Sequence, residues 1–334
     1  MTWYNDTGKE SSTVLSTRIR FARNLADYPF GSRLSAEKAN EIIEKLAPTF
    51  ENIGFKKIDF TKISKLEALS YLEKHYVSRE FTEKKTPHAL MLNEPCGYAV
   101  MLCEEDHIRM QCILPGLALD EAYASICKLD DTLDSSFEIA YNEELGYLTH
   151  CPTNLGTGMR ASVMMFLPAL TMGGQINGLS NQLSKIGLTM RGFYGEGSSA
   201  QGAIYQISNQ ITLGITEEDS IKKLQDIVKQ ITEQETELRK LITSEKNPEL
   251  IDRISRAEGI LRHAFMISSS EFISAFSDVR LGIDLGIIRS IDLKTLGELF
   301  IEVMPATLSL SAENPPKTQK ERDILRAERI KSRL

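Results

Sequence analysis

The sequence predicts an α+β fold, an antiparallel sheet flanked by helices and followed by a helical C-terminal domain. Three observations carry that expectation. Short β-like runs come in adjacent pairs around polar turns, the pattern of hairpins rather than of parallel crossovers. Helical stretches lie between those pairs. After Gly214 the period of the apolar residues becomes helical and stays so almost to the end of the chain.

In Ser16-Thr17-Arg18-Ile19-Arg20 the arginines alternate with Thr17 and Ile19, so an extended segment puts both guanidinium groups on one face. Ser35 is an N-cap for a helix through Leu46. Residues 98–104 and 107–113 read as two strands around the acidic turn Glu104-Glu105-Asp106, and residues 116–129 read as a helix. Residues 137–141 and 147–150 flank a short Asn-Glu-Glu-Leu-Gly connection, a second hairpin. Residues 161–170 fit either a helix or a buried segment, and residues 188–193 and 204–213 are again β-like.

Thr216 with Glu217, Glu218 and Asp219 makes a capped, acid-rich helix start. Ile221, Leu224, Val228, Ile231, Leu238, Leu241 and Ile242 follow, mostly at three- to four-residue spacing. Asn247-Pro248 breaks this helix; helical pattern resumes through His263 and again through Phe300, with residues 282–286 as a compact turn. Residues 305–316 read as a linker. Residues 317–334 carry seven Lys/Arg against three acids, a basic helix. A boundary near Ser244 divides the chain into residues 1–244 and a helical second domain, residues 245–334.

Composition excludes several classes. The chain has 334 residues, 25 % of them charged and 42 % apolar, ordinary for a globular protein with one large domain or two moderate ones. A formal net charge of −7 and a pI near 5.5 argue against a nucleic-acid binder. Five cysteines without a Cys-x-x-Cys pair indicate neither a disulfide framework nor a zinc site, and the histidines never fall at metal-ligand spacing. With a polar residue 1–12 segment and no apolar run of membrane length, the expected location is the cytoplasm, away from membranes.

The chemistry concentrates in one region. From Leu145 to Gly195 there is no Asp or Glu, while the window holds Gly156, Gly158, Arg160, Lys185 and Arg191. A carboxylate-free stretch with spaced arginines and Gly-rich turns suits a polyanion. Two decoys fall away: Gly8-Lys9 lacks the earlier glycine of a P-loop, and Gly156-x-Gly158-x-x-Ala161 has no acid within thirty residues to hold a ribose. Arg18, Arg20, Arg109, Arg160 and Arg191 remain. Any one is by itself a surface ion pair, but five converging from four segments are expensive without an anion. Together they match the roughly four charges of a nucleoside triphosphate.

These residues resemble the guanidino phosphotransferases (phosphagen kinases), and within them the bacterial protein arginine kinases of the McsB type. The carriers are Ser16-Thr17-Arg18-Ile19-Arg20, Glu104-Glu105-Asp106-His107-Ile108-Arg109, Cys151-Pro152-Thr153-Asn154-Leu155-Gly156-Thr157, Arg160-Ala161-Ser162-Val163 and Arg191-Gly192-Phe193-Tyr194-Gly195-Glu196. The resemblance implies a phosphagen-kinase-like catalytic domain with ATP and Mg²⁺ as cofactors. It assigns nucleotide binding to residues 16–20, His75, His107, Arg109, residues 160–164 ending at Met164, and residues 191–196. It assigns Glu105 and Glu196 to gripping the acceptor guanidinium and taking its proton, with Cys151 beside it; no protein metal ligand is implied.

Small-molecule members carry a helical domain ahead of the first arginine motif, whereas here only residues 1–12 precede Thr13-Val14-Leu15-Ser16, so the resemblance implies an open acceptor side suited to arginine in proteins. Arg322-Asp323-Ile324-Leu325-Arg326-Ala327 resembles a motif associated with phosphoarginine binding, and Arg322 and Arg326 lie four apart on one helix face as a phosphate fork. The same resemblance implies a homodimer, a zinc-binding activator, an AAA+ protease and stress-response targets. A kinase for free arginine and an inactive phosphoarginine-binding adaptor remain the alternatives.

Overall fold

The computed structural model describes residues 2–5, 7–193, 201–244 and 247–334. Its strands are β1 (Val14–Arg23), β2 (Lys56–Asp59), β3 (Ala89–Asn93), β4 (Tyr98–Leu102), β5 (Ile108–Pro115), β6 (Tyr141–Asn142), β7 (Gly146–Tyr147), β8 (Met159–Phe166), β9 (Leu188–Gly192) and β10 (Ile204–Asn209). Its α-helices are α1 (Ala36–Glu51), α2 (Lys65–Glu73), α3 (Arg79–Glu83), α4 (Leu119–Asp134), α5 (Pro168–Met172), α6 (Ile176–Lys185), α7 (Glu217–Ser244), α8 (Pro248–His263), α9 (Ser269–Asp284), α10 (Leu293–Glu302), α11 (Pro305–Ser311) and α12 (Gln319–Arg333). Among the described residues, eight strands form one antiparallel sheet in the order β2-β3-β4-β5-β1-β8-β10-β9, and β6 pairs with β7 as a separate hairpin.

The two faces of the sheet differ. Ile19 and Phe21 of β1, Met110 and Cys112 of β5, and Ala161 and Val163 of β8 point into a core shared with α1, α4 and α7. The opposite face is apolar toward both ends. Ile113, Met164, Phe166 and Ile204 pack into a second core with α8, α9, α10 and α12, and Ile58, Leu90, Ala99 and Met101 pack into a third with α2 and α3. The stretch between them is left open. A buried ionic cluster secures the join. Glu235 on α7 accepts from the N–H groups of Ala169 and Leu170 at the start of α5, each at 2.9 Å, and pairs with Arg239 at 2.8 Å. Arg239 also binds Asp284 of α9 at 3.1 Å and donates to the Phe166 and Ser12 carbonyls.

Local chemistry sets most element starts. Ser35, Asn247, Ser268 and Thr318 each cap a helix through the side chain, and Thr216 Oγ1 accepts from Asp219 N–H. Residues 161–170, expected as a helix or a buried segment, are the buried segment: β8 runs through Phe166, and its residues are apolar on both faces because a core lies on either side. Two expectations need correction. Gly282 is not in a turn but inside α9, where a Cβ would come within 2.5 Å of Ile254 Cγ2 on α8; the turn waits for Gly286 at φ +70°. Residues 305–316 are not a plain linker. They contain α11, whose first N–H groups, on Ala306 and Thr307, both donate to the Glu73 carboxylate at 2.8 Å.

Candidate active site

The sheet register gathers the arginines. Arg20 lies opposite Arg160, Arg18 opposite Ser162, and Ser162 in turn opposite Ser208. On the other side of β1, Arg20 faces Gln111 and Ala22 faces Arg109; at the far edge Arg191 faces Gln206. Directly opposed residues in antiparallel strands share a face. All five arginines thus project from the open face of the sheet, and each lines one cavity of about 1070 Å³. That volume accommodates a ligand at the upper end of the usual small-molecule range, about 300–1,000 Å³. Ser78, Lys84, Glu104, Glu105, His150 and Phe193 complete much of its wall.

Crowding of like charge shapes the floor. Burial, then the Arg109 and Arg160 guanidinium groups, pull the Arg18 pKa down to about 10. Arg20 is lowered more strongly by burial and by Arg18, Arg109 and Arg160, against the opposing pull of Glu104. Its buried Nε has no hydrogen-bond partner among the described residues. A buried cation pushed down this way is stabilised by any anion that reaches it.

Two carboxylates of the Glu104-Glu105-Asp106 turn take different roles. Glu104 is buried, pairs with Arg109 at 2.7 Å, and accepts from Ser78 Oγ at 2.6 Å and from Glu105 N–H at 2.9 Å. Burial works to raise its pKa, but Arg109 and these hydrogen bonds prevail and lower it. Glu104 is a missed site residue: it fixes one arginine of the floor, and its only signal in the sequence was its place beside Glu105. Glu105 stays exposed to the cavity, and its pKa is raised by partial withdrawal from water and by Asp106 and Glu104. Asp106 is buried and structural, accepting from Asn24 Nδ2 and from His150 N–H, each at 2.7 Å.

The histidines separate. His75 lines the cavity in a left-handed backbone conformation, φ +63°, held by Gln111 Nε2 donating to its carbonyl at 2.8 Å. Its ring stands edge-on between Trp3 and Phe193, and burial with Arg18 and Arg20 nearby pushes its pKa down to about 3. It is neutral at any physiological pH. His107 does not reach the cavity. The Leu25 N–H donates to its Nδ1 at 3.1 Å, so Nε2 carries the proton and donates to the Pro29 carbonyl at 3.0 Å. Both nitrogens serve the backbone, which corrects the expected ligand role.

Other expected site residues also lie elsewhere. Thr17 Oγ1 donates to the Gly116 carbonyl at 2.7 Å and accepts from Ala118 N–H. Ile19, Ala161 and Val163 belong to the core behind the sheet, and Met164 to the second core. Ser16 and Ser162 are buried within the strands, and Gly192 ends β9 without lining the cavity. Period two explains Thr17, Ile19, Ala161, Val163 and Gly192, because alternate residues of a strand cannot share a face; Ser16, Ser162 and Met164 are on the arginine face and line a smaller neighbouring pocket with Arg18 and His75. Cys151 is partly exposed, with Sγ 3.0 Å from Thr153 Oγ1; its neighbour His150, rather than Cys151, lines the cavity. Tyr194, Gly195 and Glu196 lie outside the described residues.

The phosphate fork on α12 does not form. Arg326 is buried, donating to the carbonyls of Val303 at 2.9 Å and Ile267 at 2.8 Å and pairing with Asp323 at 2.6 Å. Ala327 is in the second core, and only Arg322 of the pair keeps access to solvent. Among the described residues no group of three or more His, Cys, Asp or Glu is placed to hold a metal ion. The cavity therefore combines a floor of arginines with a neighbouring carboxylate of raised pKa, which can seat a polyphosphate and take a proton beside it.

Comparison with known proteins agrees with that chemistry. The family model described as the ATP:guanido phosphotransferase C-terminal catalytic domain matches residues 37–238, and that for the protein-arginine kinase McsB C-terminal domain matches residues 247–334. The protein-arginine kinase of Halothermothrix orenii is 42 % identical over 335 residues, covering 99 % of this chain and 96 % of its own. That of Clostridium acetobutylicum is 42 % identical over 337 residues, covering 99 % of both. Among solved structures, lombricine kinase aligns with a TM-score of 0.61 at 22 % identity, over 70 % of this chain and 69 % of that one. The duplicated taurocyamine kinase of Schistosoma mansoni aligns at 0.62 and 23 % identity, over 82 % of this chain and 46 % of that one. These two share the fold.

Proposed function

The chain belongs to the ATP:guanido phosphotransferase family and, within it, to the protein-arginine kinases; from that premise we propose that it transfers the γ-phosphate of ATP to arginine side chains of proteins. The observation that carries the reading is the arginine-floored cavity, with Arg18 and Arg20 depressed by burial and like charge. A triphosphate fits that floor because it supplies the counter-charge the buried Arg20 Nε lacks among the described residues. Arg18, Arg20, Arg109, Arg160 and Arg191 would hold the phosphates through charge-assisted hydrogen bonds. Mg²⁺, when it accompanies the nucleotide, neutralises phosphate charge.

The acceptor nitrogen of a guanidinium is protonated and delocalised, and therefore a poor nucleophile. Glu105 can fix its plane and accept a proton as the N–P bond forms. Resemblance pairs it with Glu196 and places Cys151 alongside. A carboxylate also stabilises the cation it must deprotonate, so alignment is its larger contribution. Glu104 holds Arg109 and positions the floor.

The finer points follow the same reading: residues 1–244 as the catalytic domain and 245–334 as a helical domain that dimerises, a cytoplasmic location, a zinc-binding activator, and an AAA+ protease acting on the marked proteins in stress. Among the described residues no helix is long and apolar enough to cross a membrane, which is compatible with that location.

Incubation with MgATP and either unfolded casein or free L-arginine, read by N–P mass spectrometry, tests the proposal. Phosphate on protein arginine is expected. Phosphate on free arginine alone would replace the reading with a metabolite kinase. Glu105→Gln is expected to cost about 10²–10⁴ in kcat with folding intact.

A further inference from the structure

The lip of the cavity that carries His150 and Glu105 continues into a surface the phosphotransfer chemistry does not use. The β6–β7 hairpin projects from it, with Tyr141 60 % and Leu145 42 % exposed. Behind the hairpin, the Tyr147 N–H donates to the Gly156 carbonyl at 2.8 Å, and the Tyr141 and Tyr147 rings stand 5.3 Å apart. Gly156 is pressed against residues 212 and 213, so closely that a Cβ on it would come within 2.8 Å of Leu213 Cα. Leu213 is itself 48 % exposed. Thr212 Oγ1 locks this contact by donating to the carbonyls of Thr153 at 3.0 Å and Leu155 at 2.7 Å. Three large apolar side chains are thus held on rigid backbone at one lip.

The tip between them is acidic. Glu143 and Glu144 are exposed, and Asn142 Oδ1 accepts the N–H groups of Glu144 and Leu145, so the tip is ordered. Only four residues separate Leu145 from His150 at the cavity wall, a span of roughly 16 Å at about 3.3 Å per residue. An arginine side chain entering the cavity would leave its own backbone on this lip, with the fourth or fifth residue along reaching the hairpin.

We propose that Tyr141, Leu145 and Leu213, with the acidic tip Glu143-Glu144, form a docking surface for an extended polypeptide whose target arginine is flanked by apolar and basic side chains. Two complementarities point to that occupant: exposed apolar area for its apolar residues, and carboxylates for a cationic segment. Such segments are buried in folded proteins and become available in unfolded ones. The proposal rests on the protein-arginine kinase reading and adds to it a preference set outside the reaction centre.

Two fluorescent peptides of equal length and one central arginine test it, one with Leu and Lys at the flanking positions and one with Ser and Gly. Anisotropy reads binding and N–P mass spectrometry reads transfer. Wild-type protein is expected to bind the Leu/Lys peptide about tenfold tighter. Tyr141→Ser/Leu145→Ser is expected to abolish that preference with the KM for ATP unchanged. Tyr141→Ser alone, at the most exposed position, guards against misfolding of the double variant and should lose part of the preference. Equal binding of both peptides to wild type, or a preference that survives both variants, overturns the docking surface. Preferential binding without phosphoarginine upholds it and overturns the kinase reading instead.

Discussion

The Arg20 guanidinium lies in a buried field of like charge from Arg18, Arg109 and Arg160. Replacing it with Met removes that repulsion and the desolvation of a cation while keeping the side-chain bulk. Arg20→Met is therefore expected to raise the melting temperature of the nucleotide-free protein, by about 1–2 kcal/mol of stability. The rise in Tm that MgATP gives the wild type should disappear in the same variant, and differential scanning fluorimetry reads both. Glu105 makes a pH prediction. Its pKa is raised by withdrawal from water and by Asp106 and Glu104, and its ionised form is the active one. The acid limb of kcat/KM should therefore lie above the ordinary carboxylate value of about 4.3 and move in Glu105→Asp. At this scale the sequence exposed the arginines well, because alternation along β1 is a one-dimensional property. It could not separate His75 from His107: both ring nitrogens of His107 meet backbone groups, whereas the His75 ring stands between Trp3 and Phe193.

Elements were legible where their ends are chemically marked in the chain. Capped helices announced themselves through Ser35 and Thr216, and Asn247-Pro248 marked the break before α8. What failed or stayed open was what depends on a distant partner: α11 starts on the carboxylate of Glu73, more than two hundred residues earlier, and β8 is apolar on both faces because two cores enclose it. The stretch between α1 and β4, which holds β2, β3, α2 and α3, was not assigned from the sequence, although Ser64 and Ser78 cap α2 and α3 through their side chains. Glu235 shows how much one distant partner can matter. Glu235→Ala strips the capping acceptor from α5 and leaves Arg239 buried with one of its two carboxylate partners, an expected loss of about 3–5 kcal/mol in urea unfolding. His75, at the end of α2, contributes through pH. Its folded pKa of about 3 lies below the ordinary value of about 6.5, so the unfolded chain takes up the proton first. Stability is then undiminished above pH 6.5 and falls as pH drops from there toward 3, by up to about 1.4 kcal/mol per unit. His75→Asn, which tolerates the left-handed backbone, should flatten that part of the Tm profile.

On the scale of the molecule, the helical region and the sheet share a core, with Ile113, Met164, Phe166 and Ile204 supplied by the strands. Separation of the two would expose that apolar strand surface. Trp3, the single tryptophan, sits at this join, its Nε1 donating to the Lys74 carbonyl at 3.1 Å and its ring beside His75. Its fluorescence and the far-UV circular dichroism are expected to trace one coincident urea transition. Two separated transitions would mean that the catalytic and helical parts unfold independently. The division of labour between the faces was only half visible in the sequence: the change of period after Gly214 marked the helical region, but not which part of the sheet it covers.

The placement of Arg18 and Arg20 has a consequence for how the chain finds its fold. β1 is the central strand, and sliding it by one residue against β5 and β8 would turn Ile19 and Phe21 outward and drive two guanidinium groups into the helix-backed core. The carboxylate that reaches that side of β1, Asp130, is already paired with Arg23 at 2.6 Å, so the misaligned strand is penalised far more heavily than one built of neutral residues would be. The charges that await a phosphate thus also act as a proofreader of strand alignment. A variant stripped of them would gain thermal stability and lose the discrimination that makes its native arrangement unique.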